Sequence, residues 1–258
     1  MQHQEFEVPE GLREAIKCFW YTSMDFGAEG SSFEVMPDGY AEIVFLFGNE
    51  CSVSYNGTLQ PLPSPFLMAM LNKPMVIHTK GVLTVVGTRC FPWAVFELLG
   101  LQGGKDGVDI YDHPIAQLQP ALNNMVAAGR IDMAVDAVKQ YFMNAGPQAA
   151  VDNILTKAGA AMSGANGTMQ VSEVAAAAHA TVRTLERKFR RSTGYTVKDV
   201  SGVMRFEQAR NHLWLHPDCS LARLAQELGY TDQAHLTRAF RRYSGTTPAA
   251  FARKWRML

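Results

Sequence analysis

The sequence predicts an α+β protein, with an N-terminal small antiparallel β-barrel or sheet domain and its following helices ahead of a C-terminal all-α domain. Three observations carry this. From Phe33 to Cys90, short apolar or alternating runs are broken by Gly, Pro and Asn, the pattern of short antiparallel strands. After Pro92 the apolar period becomes helical and stays so. Charge is also divided: residues 1–165 hold 9 Lys and Arg against 17 Asp and Glu, whereas residues 166–258 hold 15 against 7. An acidic body thus carries a basic last third, which points to a polyanionic partner for that third alone. Of its 15 cations 12 are Arg, whose planar fork suits phosphate and guanine.

The chain of 258 residues is 47% hydrophobic and 19% charged, enough for two globular domains with their own cores. Cys18, Cys51, Cys90 and Cys219 are scattered and form no CxxC pair, which suits a reducing compartment without a zinc ribbon. No charged leader with an apolar core opens the sequence, and no apolar run approaches the ~20 residues that span a bilayer. A cytoplasmic protein with no membrane partner is expected.

Taken in order, Leu12 to Trp20 is amphipathic and turns extended at Cys18 to Thr22, so a short helix feeding a strand is expected. Strands follow at Ile43 to Phe47, Cys51 to Tyr55, Phe66 to Leu71, Met75 to His78 and Leu83 to Thr88. Pro37-Asp38-Gly39 signals a turn, and Asn56-Gly57 a tight hairpin. Trp93 to Leu99 reads as a helix ended by Gly100, followed by a Gly-rich loop from Gly103 to Gly107. Helices are expected at Pro114 to Ala128, Ile131 to Met143 and Pro147 to Met162. The apolar face of Ile131, Val135, Val138 and Phe142 serves either intramolecular packing or a dimer contact. Ser163-Gly164-Ala165-Asn166-Gly167 is short, uncharged and built from flexible residues, and marks the domain boundary.

From Leu221 to Phe251 two helices are expected around a turn at Gly229. Leu221, Leu224, Ala225 and Leu228 recur at helical spacing before the turn, as do Leu236, Ala239, Phe240 and Tyr243 after it. Gly229 suits a left-handed cap, and Thr231 or Asp232 supplies the next N-cap. The second helix leaves Gln233, His235, Thr237, Arg238, Arg241 and Arg242 outside, a set of groups able to bond base edges and phosphate. Taken alone, the stretch also fits a helical hairpin with a solvated basic face. An internal repeat decides against that. Val174-Ala175 matches Leu224-Ala225, and the string Leu-x-Arg-x-Phe-Arg-Arg-x-x-Gly occurs both at Leu185 to Gly194 and at Leu236 to Gly245. The offset changes by one residue in the turn.

These two copies, closed by TGYTVKDV and SGTTPAAF, resemble the paired helix-turn-helix domain of the AraC/XylS transcriptional regulators over residues 168–258. Val197 stands where the second copy has Pro248, and Ala178-His179-Ala180 where it has Gly229-Tyr230-Thr231. The resemblance implies a long helix, about Val197 to Leu213, joining the units rigidly. Both recognition helices then enter successive major-groove segments, ~34 Å apart. It also implies base contacts from Arg183, Glu186 and Arg187 in the first unit and from Gln233, His235, Thr237 and Arg238 in the second. Arg190, Arg191, Arg241 and Arg242 lie farther along and suit phosphate. Glu207 and Arg210 are read as a structural i,i+3 pair.

The run MPDGYAEIVFLFG, with VLTVVGTRCFPWAVFELLG farther on, is similar to an uncharacterised N-terminal domain of a subset of these regulators, over about residues 5–125. The expected organisation is a sensor or dimerisation domain at 1–162, a linker at 163–167 and the DNA-binding domain at 168–258. Enzyme chemistry finds little to build on. His78 stands alone on a strand, and the Gly103 to Gly107 loop lacks phosphate-loop spacing. Met68, Met70, Trp93 and Phe96 either line a ligand cavity or are plain core. No catalytic residue, metal site or cofactor is therefore expected. The expected partners are a double-stranded promoter site, a small-molecule effector, a second copy of the chain and, for an activator, RNA polymerase. The alternative is an enzymatic or metal-binding first domain fused to a DNA-binding module.

Overall fold

The computed structural model describes residues 1–55, 58–101, 108–109, 112–145 and 152–255. One antiparallel sheet runs β1-β2-β9-β4-β7-β10. Its strands are β1 (Gln2–Phe6), β2 (Ile16–Asp25), β4 (Ala41–Gly48), β7 (Phe66–Met68), β9 (Val82–Cys90) and β10 (Val108–Asp109). The second runs β3-β8-β5-β6, from β3 (Ser31–Val35), β5 (Ser52–Tyr55), β6 (Thr58–Pro61) and β8 (Met75–Thr79). The hairpin expected at Asn56-Gly57 is flanked by the pair Tyr55 and Thr58, while residues 56 and 57 themselves, like Gly103 to Gly107, lie outside the described residues.

The central strands β4 and β9 are buried on both faces, which is why they read as nearly continuous apolar runs. Val44, Phe66, Met68, Leu83 and Val85 face the second sheet and meet Val53, Met75 and Ile77. Ile43, Phe45, Phe47, Val86 and Cys90 face the helices in a core that continues into the C-terminal third. Glu42 and Arg89 are cross-strand partners on β4 and β9.

The helix expected at Leu12 to Trp20 is replaced by a 3-10 turn at Glu10–Leu12 and by β2. Leu12, Ala15, Ile16 and Phe19 are all buried, a spacing that mimics a helical stripe. It arises from the turn plus a register shift between Ile16 and Cys18, while long pairing with β9 holds the segment extended. The expectation missed β1 and β3 because they are short, polar and largely exposed, whereas β6 is the second arm of the expected hairpin.

Helices α1 (Val95–Leu98), α2 (Gln119–Ala127), α3 (Ile131–Ala145) and α4 (Asn153–Gly164) follow. On α3, Ala134, Val135, Val138 and Phe142 are buried in the chain's own core, so that face is intramolecular and unavailable for a dimer. Of residues 163–167, read from composition as a linker, Ser163 and Gly164 end α4, Ala165 caps it, and Asn166 and Gly167 turn at positive φ. Gly167 packs against α7 (Val197–Leu215), where a Cβ would lie 2.5 Å from the Ser201 carbonyl oxygen.

The C-terminal third contains α5 (Val171–Ala177), α6 (Val182–Thr193), α7, α8 (Leu221–Glu227), α9 (Gln233–Ser244) and α10 (Pro248–Trp255). Trp93 joins the two parts of the molecule. Its ring packs on Phe189 of α6 at 6.1 Å and its carbonyl accepts a bond from Ser192 Oγ at 2.5 Å. Lys188 of α6 also pairs with Asp152, which caps α4. Trp93, Phe96 and Met70 belong to this shared core, whereas Met68 lines the space between the sheets.

Candidate nucleic-acid interface

Each helical pair is specified by its own caps. Ser220 caps α8 by accepting from the Arg223 amide, and Asp232 caps α9 by accepting from His235 at 2.6 Å. In the first pair Glu173 accepts from the Gln170 amide and Thr181 from the Thr184 amide. The turns share one geometry. The Ala180 amide donates to Ala175 at 2.9 Å, and Tyr230 donates to Ala225 at 2.8 Å. His179, and not Ala178 as the sequence pairing has it, is the structural counterpart of Gly229: it takes φ +52 where Gly229 takes φ +67, because the offset of 50 persists through the turn. Both second helices end in a left-handed glycine, Gly194 and Gly245, bonded back to Arg190 and Arg241.

Leu185 and Phe189 of α6 are fully buried, as are Leu236 and Phe240 of α9, which fixes what each helix turns outward. Arg183, Arg187, Arg190 and Arg191 are exposed on α6, and Gln233, Arg238, Arg241 and Arg242 on α9. Glu186 is half-buried, and its Oε2 has no hydrogen-bond partner among the described residues. His235 is also half-buried: its Nδ1 lies 3.3 Å from Thr231 and its ring stands edge-on to Tyr230. Thr237 donates to the Gln233 carbonyl at 2.8 Å. Arg242 pairs with Asp199 of α7 at 3.4 Å. Burial pushes the Asp199 carboxyl up, but bonds from Thr196 and the Arg242 charge outweigh it and hold the group below its ordinary value.

The connecting helix α7 is long and packed at both ends. Phe206 meets Phe240 at 5.0 Å and Tyr243 at 5.4 Å. Gly202 lets α9 approach closely, since a Cβ there would lie 2.5 Å from the Tyr243 hydroxyl. Sequence reasoning missed Lys198 and Arg205 of this helix, which join Arg238 and Arg242 around a cleft of about 410 Å³. Arg205 lies over the Tyr230 ring at 5.0 Å and donates to the Gly229 carbonyl, tying α7 to the second turn. Only its cationic character on an amphipathic helix could have flagged it. Glu207 and Arg210 form the expected i,i+3 pair at 4.0 Å and face the first domain, where Arg210 donates to the Pro37 carbonyl.

Residues 174–254 match the helix-turn-helix domain family, and residues 4–105 match a domain of unknown function, DUF6597. The C-terminal domain is a helix-turn-helix domain of the AraC type. Within this AraC-type domain, a segment of 69 residues is 38% identical to the HTH-type transcriptional regulator RipA of Corynebacterium diphtheriae. It is 41% identical to RipA of Corynebacterium glutamicum. Each match spans 27% of this chain and 20% of the relative. Over the whole fold, the chain superposes on ToxT from Vibrio cholerae O395 with a TM-score of 0.50 at 10% identity, covering 93% of this chain and 100% of ToxT. The AraC-type domain thus sits in an architecture of β domain followed by paired helix-turn-helix units.

Proposed function

We propose that the protein is a sequence-specific, double-stranded-DNA-binding regulator of transcription. Its first domain serves either as a sensor for a small-molecule effector or as a dimerisation unit. The observation that carries this reading is the duplicated turn, with one backbone geometry in both copies, joined by one packed helix and followed each time by an exposed arginine face. The functional division is into residues 1–162, 163–167 and 168–258. Arg183 and Arg187 of the first unit and Gln233 and Arg238 of the second are the direct readers of bases. Glu186, His235 and Thr237 contribute only their outer edges, because their other atoms are buried or bonded to the turn and helix. Arg190, Arg191, Arg241 and Arg242 meet phosphate, with Asp199 holding Arg242 in position.

No helix among the described residues is long and apolar enough to cross a membrane. A cytoplasmic regulator without catalytic activity or cofactor is the reading put forward. A dimer, where formed, uses a surface other than the buried face of α3, and RNA polymerase is a partner if the protein activates. Selection of bound DNA from a random pool, with and without a metabolite extract, tests the reading. A single enriched bipartite site is expected, and retention of no sequence over background would overturn it. Stoichiometric metal in the purified protein would instead favour a metal-binding or enzymatic first domain.

A further inference from the structure

Between the two sheets lies a cavity of about 230 Å³ that is partly open to solvent. Its walls are almost wholly apolar: Val44, Leu46, Phe66, Met68, Ile77 and Val85 contribute, with Trp20 and Phe33 as aromatic faces. A well-packed core has few voids larger than a water molecule, and a dry apolar cavity of ~150 Å³ already admits a benzene-sized guest. Among the described residues the wall carries one acidic side chain, Glu42, and two basic ones, Arg89 and His3, the latter turned to Thr22 and Glu5. Glu42 and Arg89 pair at 2.8 Å, but Arg89 also reaches Asp38 at 3.6 Å, so one guanidinium serves two carboxylates. On this wall a further anion would meet Glu42, with Asp38 behind it and only Arg89 shared between the two. A cation beside Glu42 would offset the carboxylate charge that Arg89 shares with Asp38, in a pocket whose wall also carries the rings of Trp20 and Phe33.

The cavity wall also connects outward. Asp38 and the Pro37 carbonyl stand in one turn; Arg89 holds the first and Arg210 of α7 binds the second at 3.3 Å. Glu207 is beside Arg210 on the same helix. A change in how Glu42 shares Arg89 therefore reaches the helix that fixes the spacing of the two helix-turn-helix units.

We propose that this cavity is an effector site for a small apolar amine whose ammonium group pairs with Glu42, and that the turn at Pro37 and Asp38 passes occupancy to α7 through Arg210. This rests on the reading of the first domain as a sensor. Recognition is by charge and shape: the apolar body fills the space between the sheets, and the amine releases Arg89 toward Asp38.

The test uses the full chain and three probes with similar bodies, 2-phenylethylamine, 2-phenylethanol and phenylacetate, titrated by calorimetry. DNA affinity for the selected site is read in parallel. The amine should bind at least about tenfold more tightly than phenylacetate, a difference of ~1.4 kcal/mol. Glu42→Gln should abolish that preference. The amine should change DNA affinity severalfold, and Arg210→Ala should remove the change while leaving amine binding intact. Equal or tighter binding of phenylacetate overturns the proposal, as does an amine that binds without altering DNA affinity. If Glu42→Gln does not fold, Val44→Phe decides by filling the cavity, and amine binding retained in that variant overturns the site. Failure of all three probes to bind a protein that still binds its DNA overturns this proposal and leaves the DNA-binding reading standing. Loss of DNA binding itself overturns that reading instead.

Discussion

Arg238 and Arg190 carry the same charge but different duties. Arg238 is exposed on the part of α9 that lines the basic cleft, whereas Arg190 is on the last turn of α6, where it also favours the helix C-terminus. Arg238→Ala should weaken binding to the selected site by ~1–3 kcal/mol and relax preference at one or two positions. Arg190→Ala should weaken all sequences alike and lower the salt slope by about one. Gel-shift titrations at several salt concentrations separate the two, and identical behaviour of both variants would contradict the division into base and phosphate contacts. The outward residues of both recognition helices were legible in the sequence because a period of 3.6 fixes what a buried stripe leaves outside. The half-burial of Glu186 and His235 was not, since it depends on neighbours distant in sequence or placed by the turn.

Between elements, the decisive features are the two turns. His179 occupies the left-handed region at φ +52, where a side chain costs roughly 1–2 kcal/mol, and the second copy has glycine there. His179→Gly should therefore raise stability by up to ~1 kcal/mol, and Gly229→Ala should lower it by about as much, read from urea midpoints at constant slope. The opposite sign in either variant would mean that side-chain packing outweighs backbone strain. The repeat, the caps and both glycine-ended helices were legible because each is set by local chemistry. The segment Leu12 to Phe19 was misread for the same reason in reverse: its buried positions fall at helical spacing, yet β9 supplies a strand partner that no local pattern announces.

Across the whole molecule, the charged cluster at the junction makes stability depend on pH. Burial, with Asp38 beside it, pushes the Glu42 carboxyl up to about 7 against the pull of Arg89. Burial likewise raises Glu207 to about 7, with Asp38 adding to the shift. Both carboxyls start from an ordinary value of 4.5, so between that and about 7 the folded chain holds more protons than the unfolded one. Their contribution is fully present below the lower value and is lost as pH rises through the upper one. Thermal unfolding should thus show a decline from pH 5.5 to 8 that is shallower in Glu42→Gln, by on the order of 1 kcal/mol. Parallel curves for the two proteins would place the Glu42 titration elsewhere.

What the sequence determined by itself is local and periodic: the short strands from Ile43 to Thr88, the duplicated Leu-x-Arg-x-Phe-Arg-Arg-x-x-Gly helix, its caps and the basic character of the last third. Tertiary structure alone decided that β1 pairs at the edge of β2, and that residues 163–167 turn against α7. It also decided that Glu42, Arg89, Asp38, Glu207 and Arg210 meet where the two parts join. The physical reason is range. Periodicity and capping act over a few residues and are written in the chain, whereas strand partners and a charged junction depend on which distant surfaces packing brings together.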